Sequence, residues 1–146
     1  MELTTDQKGA IAESASVHAA LRLGIDVYRP LSDGGRYDLI FDVGPTLLRV
    51  QCKWANQHRG AVVVRCYSSR RGPKGMIVRR YSADEVDVIA AFCLETGCSY
   101  LIPPALFGGR RVVHLRVAAS DNNQRTGINW AEGFAFEARL RALLGP

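Results

Sequence analysis

The sequence lacks any apolar run of the roughly 18 to 20 residues that a membrane-spanning helix needs, and its mean hydropathy is −0.04. Its first six residues (MELTTD) have no cationic head followed by an apolar stretch, so we expect no signal peptide. With 146 residues, 47% of them hydrophobic and 23% charged, the chain has the composition of one folded domain. These features argue against a membrane protein, a secreted precursor and a disordered chain.

Cysteines are few, and their spacing does not suit a disulfide or zinc framework. The sequence has four, Cys52, Cys66, Cys93 and Cys98, with no CxxC motif and no paired histidine near the last two. A structural zinc site needs closer ligand spacing in two such pairs. We therefore expect reduced, partly buried thiols in a cytoplasmic protein.

Acidic residues are absent from residues 43–83, which contain seven Arg and two Lys and so carry a charge of +9. Residues 1–42 hold four basic and seven acidic side chains (−3), and residues 84–146 hold six and seven (−1), which together give the formal net charge of +5. Because the guanidinium group binds oxyanions through two hydrogen bonds, this block favours a polyanionic partner, above all nucleic acid. A solvated arginine-rich face without a partner is the alternative.

The residue pattern predicts a mixed α/β domain with a leading helix, a central sheet and a closing helix. Thr4 and Gln7 form a capping-box pattern that starts a helix ending near Leu23, and Gly24 supplies a left-handed stop. The remaining segments follow from alternation, turn residues and helical spacing. Strands are predicted at residues 37–42, 47–54, 61–67, 86–93, 98–102 and 111–117, a short extended segment at 25–28, a basic loop at 68–75 and the closing helix at 132–144.

One predicted hairpin brings several polar groups together. If residues 43–46 form its turn, antiparallel pairing places Asp38 opposite Gln51, with Cβ atoms about 4.5 to 5.5 Å apart. Alternation puts Arg49 and Lys53 on the same face as these two. The other face is apolar and consists of Tyr37, Leu39, Phe41, Leu48, Val50, Cys52 and Trp54.

A carboxylate and an amide oxygen at this separation are suitable ligands for a hard divalent ion such as Mg²⁺. The backbone carbonyl of Cys52 can add a third oxygen. Lys53 then points at a metal-bound water or at a scissile phosphate, where it orients or deprotonates the nucleophile. An ordinary cross-strand ion pair between Asp38 and Lys53 fits the same spacing, so both interpretations remain open.

Glu13 occupies a predicted apolar stripe of the first helix, together with Ala10, Val17 and Leu21. A carboxylate is rarely buried without a partner. Glu13 therefore either extends to solvent or faces the site near Asp38, where it contributes to metal binding in part through water.

Glu13, residues 36–40 (RYDLI) and residues 49–53 (RVQCK) together resemble the PD-(D/E)XK nuclease arrangement. More narrowly, the chain is similar to group I intron-associated PD-(D/E)XK endonucleases over about residues 8–135. The further motifs are residues 32–35 (SDGG), 85–87 (EVD), 100–103 (YLIP), 122–124 (NNQ) and 127–131 (GINWA). The resemblance implies a single restriction-endonuclease-like α/β domain over residues 1–146, with a mixed sheet flanked by an N-terminal and a C-terminal helix.

The resemblance also implies Mg²⁺-dependent hydrolysis of duplex DNA by a homing-type endonuclease, with Mn²⁺ as a substitute ion. Asp38 would be the central metal ligand, Lys53 the catalytic lysine and Glu13 the helix carboxylate. Tyr37 stands in place of the name-giving proline, and Gln51 in place of the usual Glu or Asp, which removes one negative charge from the metal site. The same arrangement occurs in archaeal-type Holliday-junction resolvases, so structure-selective cleavage is an alternative, and a catalytically decayed DNA-binding module is another.

The residues predicted to contact DNA lie in or near the basic block and in a polar segment whose Asn and Gln side chains can pair with adenine. They are Arg36, Arg49, Arg70, Arg71, Lys74, Arg79, Arg80, Asn122, Asn123 and Gln124. Because two strands require two active sites, we expect a homo-oligomer, a dimer or a tetramer. We expect it to associate with the nucleoid through DNA, with no membrane partner and no small-molecule cofactor.

Overall fold

The computed structural model describes residues 1–119, 122 and 126–144. Within these residues the elements follow in the order α1 (Thr5–Arg22), β1 (Asp26–Tyr28), β2 (Leu39–Asp42), β3 (Leu47–His58), β4 (Ala61–Arg65), β5 (Tyr67–Gly72), β6 (Gly75–Arg80), β7 (Val88–Cys93), β8 (Cys98–Ile102), α2 (Pro104–Phe107), β9 (Val112–Arg116), a 3-10 helix (Ala131–Phe134) and α3 (Phe136–Leu144). No helix in this part of the chain is long and apolar enough to cross a membrane.

The predicted start and end of the first helix are confirmed. The Thr4 hydroxyl accepts a hydrogen bond from the Gln7 backbone N–H at 3.1 Å, and the Gln7 side chain accepts one from the Thr4 N–H at 2.9 Å. The helix ends at Arg22, and Gly24 takes a left-handed φ of +79°. This reciprocal cap satisfies two backbone donors that a helix start otherwise leaves unpaired.

The predicted apolar stripe of α1 is wrong. The buried positions are Ala12, Ser16 and Ala20, whereas Leu21 is 54% exposed. Small side chains at four-residue spacing let the helix backbone approach the sheet closely, and the buried Ser16 hydroxyl donates to the Ala12 carbonyl at 3.1 Å. Of the predicted stripe only Val17 packs against the core, and the helix otherwise packs by close approach of its small side chains.

Strand β3 organises the mixed seven-stranded sheet. Its first part pairs antiparallel with β2, residues 50–55 pair parallel with β7, and residues 56–58 pair antiparallel with β4. Strands β1, β8 and β9 extend the sheet beside β2, β7 and β4 respectively. The predicted turn between β3 and β4 is confirmed: Arg59 and Gly60 both have positive φ, +49° and +77°, as a two-residue hairpin requires.

Two apolar clusters occupy the two faces of this sheet. Phe41, Val50 and Leu101 pack with Phe136 and Leu140 of α3 and with the buried side of α1. The alternate residues of β7 and β8 point to the other face and pack there with β4, β9 and α2. The predicted mixed α/β fold, with one helix from each end of the chain, is confirmed.

Several predicted segments need correction. Residues 68–75 are not a loop, since β5 and β6 form a hairpin around Pro73 and Lys74. The closing helix begins at Phe136 rather than at residue 132, because Ala135 forms an isolated bridge with Tyr100 and separates it from the 3-10 turn. Strand β3 runs four residues beyond Trp54, and the short helix α2 follows Pro103. The four cysteines are free thiols, and Cys98 alone among them is exposed.

Candidate active site

The hairpin of β2 and β3 has the predicted register. Asp42 pairs with Leu47 and Leu39 with Val50. Asp38 precedes β2, and its N–H donates to the Val50 carbonyl at 2.8 Å, which continues the pairing by one residue. Leu39, Phe41 and Val50 are fully buried on the apolar face, as expected. Because side chains alternate along a strand, Asp38 and Gln51 lie on the opposite face of the sheet.

The Asp38 carboxylate is hydrogen-bonded to strand β3. Its Oδ2 accepts hydrogen bonds from Gln51 Nε2 at 2.9 Å and from the Cys52 backbone N–H at 3.0 Å. Burial raises the pKa of Asp38 above its ordinary value, and the Cys52 N–H and the charges of Lys53 and Arg29 offset this in part. A further positive charge beside this carboxylate would relieve the cost of its burial.

Gln51 is 8% exposed and places its amide nitrogen between two oxygens. That nitrogen lies 2.9 Å from Asp38 Oδ2 and 3.2 Å from the Cys52 carbonyl oxygen. Rotating the amide by 180° exchanges its nitrogen and oxygen, an assignment that follows the local hydrogen-bond network. The rotated form directs three oxygens, one of them charged, toward one point, which suits a hard divalent cation.

The donor chemistry therefore fits a metal ion, although the ligand set is not a carboxylate cluster. Within the described residues, no group of three His, Cys, Asp or Glu side chains is placed to hold one. Magnesium retains several waters and is bound through one or two carboxylates. Asp38, the Gln51 amide and the Cys52 carbonyl are therefore donors of the kind that this ion binds. Burial raises the pKa of the Cys52 thiol to about 12, so its sulfur stays protonated and its backbone oxygen is the donor.

Lys53 follows on the same strand and faces the same cleft. Its Nζ donates a hydrogen bond to the Tyr67 carbonyl at 2.8 Å and lies 5.0 Å from the centre of the Tyr81 ring. Burial lowers the pKa of Lys53, against the effect of the Asp38 charge. Among the described residues Lys53 forms no ion pair with Asp38, so the simple cross-strand pair is not what the structure shows.

Glu13 lies at the edge of the buried side of α1, where its side chain is 25% exposed, and it forms an ion pair with Arg29. The charges of Glu13 and Asp38 both raise the pKa of the Cys52 thiol, and Arg29 lowers it. Glu13 and Arg29 therefore lie near Cys52, although neither residue lines the cleft that Lys53 faces. Sequence reasoning missed Arg29, because nothing in the short segment after β1 indicates that it meets α1.

A cleft of about 1250 Å³ opens beside this site, and its lining includes Gln51, Cys52 and Lys53 but not Asp38 or Glu13. Gln51, Lys53 and Tyr81 line it together with Arg70 and Arg79 of the β5–β6 hairpin, and it also contacts Thr5 and Lys8 of α1, the Gly34–Gly35 segment and Arg65. Sequence reasoning did not identify Lys8, whose Nζ lies 6.0 Å from the Trp54 ring. The cleft therefore places cations from several elements next to the carboxylate site.

Arg36 and Arg49 are occupied within the chain, so the structure does not favour them as DNA contacts. Arg36 donates to the Ser68 hydroxyl at 2.7 Å and to the Arg80 carbonyl at 2.6 Å, and its Nε lies 3.0 Å from Glu85. Arg49 donates from two of its nitrogens to the Asp87 carboxylate, each at 3.0 Å.

The other predicted DNA contacts divide by position. Arg70 and Arg79 line the cleft, although Arg79 also pairs with Glu85 at 2.6 Å. Arg71, Lys74 and Arg80 are exposed outside the cleft lining. Asn123 and Gln124 lie outside the described residues, and the predicted role of the segment that they share with Asn122 stays a prediction.

The Arg49–Asp87 pair predicts a pH-dependent stability. The Arg49 side chain lowers the pKa of Asp87 below 3.8, so the pair stabilises the fold above that pH and is lost as pH falls through the lower folded value. Since about a third of each side chain is exposed, we expect Asp87→Asn to cost about 1 kcal/mol or less at neutral pH. Urea unfolding at neutral pH and near pH 3 measures the difference, which should shrink in acid. Asp26→Asn is the control and should show no such trend, because Asp26 is an exposed carboxylate at the start of β1 with no ion pair among the described residues.

The mixed sheet brings a carboxylate, an amide and a lysine together beside one basic cleft, an arrangement that fits the class of nucleases. The chain belongs to the PD-(D/E)XK endonuclease family, whose model matches residues 3–137. It is similar to the solved structure of a bacterial homing endonuclease, I-Ssp6803I, with 28% identity and a TM-score of 0.75 over 98% of this chain and 96% of that one. No curated protein matches the chain. The family resemblance is confirmed, and such nucleases generally use divalent metal ions.

Proposed function

We propose that this protein is an Mg²⁺-dependent endonuclease of the homing type that hydrolyses phosphodiester bonds in duplex DNA. The observation that carries the proposal is the hydrogen-bonded group of Asp38, Gln51 and the Cys52 carbonyl, next to a basic cleft that Gln51, Cys52 and Lys53 line. The similarity to a bacterial homing endonuclease of nearly equal length supports the type of nuclease. Residues 1–146 would act as a single nuclease domain.

Three oxygens would hold the ion: the Asp38 carboxylate, the Gln51 amide in its rotated form and the Cys52 carbonyl. When bound, the ion supplies Lewis-acid stabilisation of the phosphate and a lowered pKa for the attacking water. Glu13 would bind water at the edge of this site once its ion pair with Arg29 opens. Mn²⁺ accepts the same oxygen ligands and would substitute.

Lys53 would stabilise the charge that develops on the phosphate. The Tyr67 carbonyl and the face of the Tyr81 ring hold its ammonium group, so the position of this group is fixed before DNA binds. Preorganised charge of this kind costs no rearrangement during the reaction. Because the pKa of Lys53 is lowered by burial, its proton is also easier to transfer than that of an exposed lysine.

Both strands of a duplex require two such sites, so we propose a homo-oligomer. Arg65, Arg70 and Arg79 supply positive charge in the cleft next to Lys53, which favours binding of DNA there. In the cell, the protein would then associate with the nucleoid through its binding to DNA.

The test is incubation of the purified protein with three DNA substrates in Mg²⁺, in Mn²⁺ and in EDTA. The substrates are a plasmid, a library of random-sequence duplexes and a four-way junction. We expect cleavage of duplex DNA that requires the metal ion. Cleavage of the junction alone would instead identify a structure-selective resolvase. Binding without cleavage of any substrate in either ion would identify a decayed DNA-binding module.

A further inference from the structure

The β5–β6 hairpin is a two-stranded ribbon separate from the main sheet. Its six cross-strand pairs run from Tyr67 opposite Arg80 to Gly72 opposite Gly75. Six residues of extended chain span about 20 Å. All of β6 is exposed, including Met76 at 61%, Ile77 at 42% and Val78 at 42%. The exposed apolar side chains of β6 therefore do not contribute to the core of the protein.

The two faces of the ribbon differ in what they meet. Opposite residues share a face, so Arg70 and Ile77 lie on one side, and Arg71 and Met76 lie on the other. The cleft is lined by Arg70 and Ile77 and by neither Arg71 nor Met76. Among the described residues Arg70 forms no ion pair, in contrast to Arg79, which pairs with Glu85. Arg70 therefore presents a free guanidinium on the side that faces Lys53.

The tip of the ribbon is thin. Gly72 and Gly75 face each other across it, so neither strand carries a side chain at that pair. The Ile77 side chain fills the space instead, because a Cβ added at Gly72 would lie 2.6 Å from Ile77 Cδ1. At this last pair before the turn of Pro73 and Lys74, the backbone can approach a partner closely.

The base of the ribbon is fixed to the candidate active site. Lys53 donates to the Tyr67 carbonyl at the start of β5, and Arg36 bridges the Ser68 hydroxyl of β5 and the Arg80 carbonyl of β6. The Arg36 guanidinium also lies 4.4 Å from the centre of the Tyr81 ring, the ring that Lys53 contacts. The position of the ribbon is therefore tied to the position of Lys53.

We propose that the cleft face of this hairpin enters the major groove of duplex DNA and that Arg70 reads bases there. The inference rests on the proposed function for the nature of the substrate. The segment from residue 43 to residue 83 has no acidic residue, so the ribbon and its surroundings complement a polyanion. The major groove of undeformed B-DNA, about 12 Å wide, admits a two-stranded ribbon, whereas its minor groove, about 6 Å wide, does not.

The chemistry of the face favours base reading over phosphate contact alone. An arginine with a free guanidinium pairs with two acceptors of guanine, and an adjacent aliphatic side chain suits the methyl group of thymine. Arg70 and Ile77 are such a pair. Arg70 lies three residues from Tyr67, which is about 10 Å along the strand. At 3.4 Å per base pair, its base contact falls within about three base pairs of the scissile phosphate at Lys53.

The experiment selects bound sequences from a library of duplexes with a randomised centre, in buffer without divalent metal so that cleavage is not needed. The chain and its variants Arg70→Gln, Arg70→Lys and Arg71→Gln are compared by enrichment and by binding at several salt concentrations. Arg71→Gln removes the same charge from the same strand on the opposite face. We expect Arg70→Gln to weaken binding of the enriched sequence about tenfold and to remove its preference at one or two positions.

Two comparisons decide the outcome. Arg70→Lys should keep the salt dependence but lose the base preference, because lysine has no guanidinium fork, and Arg71→Gln should keep the preference. Equal effects of the two glutamine variants, an unchanged preference in Arg70→Lys, or equal binding of single-stranded competitor would each overturn the proposal. An Arg70-dependent preference in a protein that never cleaves would overturn the proposed function and leave this inference standing.

Discussion

Asp38→Asn and Lys53→Met are each expected to reduce DNA cleavage about 1000-fold while DNA binding changes by no more than about threefold. Asp38 is the one charged oxygen in the candidate ligand set, so the amide removes the charge that holds the ion. The variant keeps an oxygen that can accept from the Cys52 N–H, which preserves the local fold. Methionine keeps the packing of the Lys53 chain on Tyr81 but removes the ammonium group. Loss of a preorganised charge or of a metal ligand has effects of this size in other enzymes.

The matched control for Asp38 is Asp42→Asn. Asp42 ends β2, the strand that Asp38 directly precedes, and its carboxylate accepts a hydrogen bond from the Gly44 N–H at 3.3 Å, outside the cleft lining. Single-turnover cleavage, duplex binding in Ca²⁺ and thermal unfolding are measured for all three variants. If Asp38→Asn or Lys53→Met cuts as fast as the unmodified chain, the assignment of the site is wrong.

The part of the site that could be predicted from the sequence is the part set by local pairing. The turn at residues 43–46 and the alternation on both strands fix the register, and the register brings Asp38 to Gln51. The capping box at Thr4 likewise follows from a four-residue pattern. In each case neighbours in sequence determine the geometry, and no knowledge of the rest of the fold is needed.

The part that could not be predicted depends on long-range packing. Tyr67 and Tyr81 hold Lys53 through a backbone carbonyl and a ring face, and neither contact has a sequence signal. Residues 68–75 of the β5–β6 hairpin are predicted as a loop, because their Ser, Arg and Gly residues show no alternation and the apolar residues that follow are exposed. The buried side of α1 was assigned to the wrong residues because alanine and serine carry little hydrophobic signal, although their small size is what the close packing requires.

Gln51→Glu is expected to tighten Mg²⁺ binding about 10- to 100-fold and to destabilise the protein without metal. The Gln51 amide nitrogen now donates to the Asp38 carboxylate and to the Cys52 carbonyl. A glutamate oxygen in the same place would face two acceptors in a site that is 8% exposed, and like charges in such a site repel strongly. A divalent ion bound between the oxygens attracts both of them. The substitution should therefore lower the stability of the metal-free protein and raise its affinity for Mg²⁺.

Thermal unfolding over a series of Mg²⁺ concentrations, together with calorimetric titration of the ion, separates these two effects without any measurement of cleavage. Gln57→Glu is the control, since it adds the same charge to an exposed position of the same strand. The Gln51 variant should unfold at a lower temperature than the control in EDTA and recover that difference as Mg²⁺ is added. If both variants respond alike to Mg²⁺, the ion does not bind at Gln51, and the ligand set of Asp38, Gln51 and the Cys52 carbonyl is wrong.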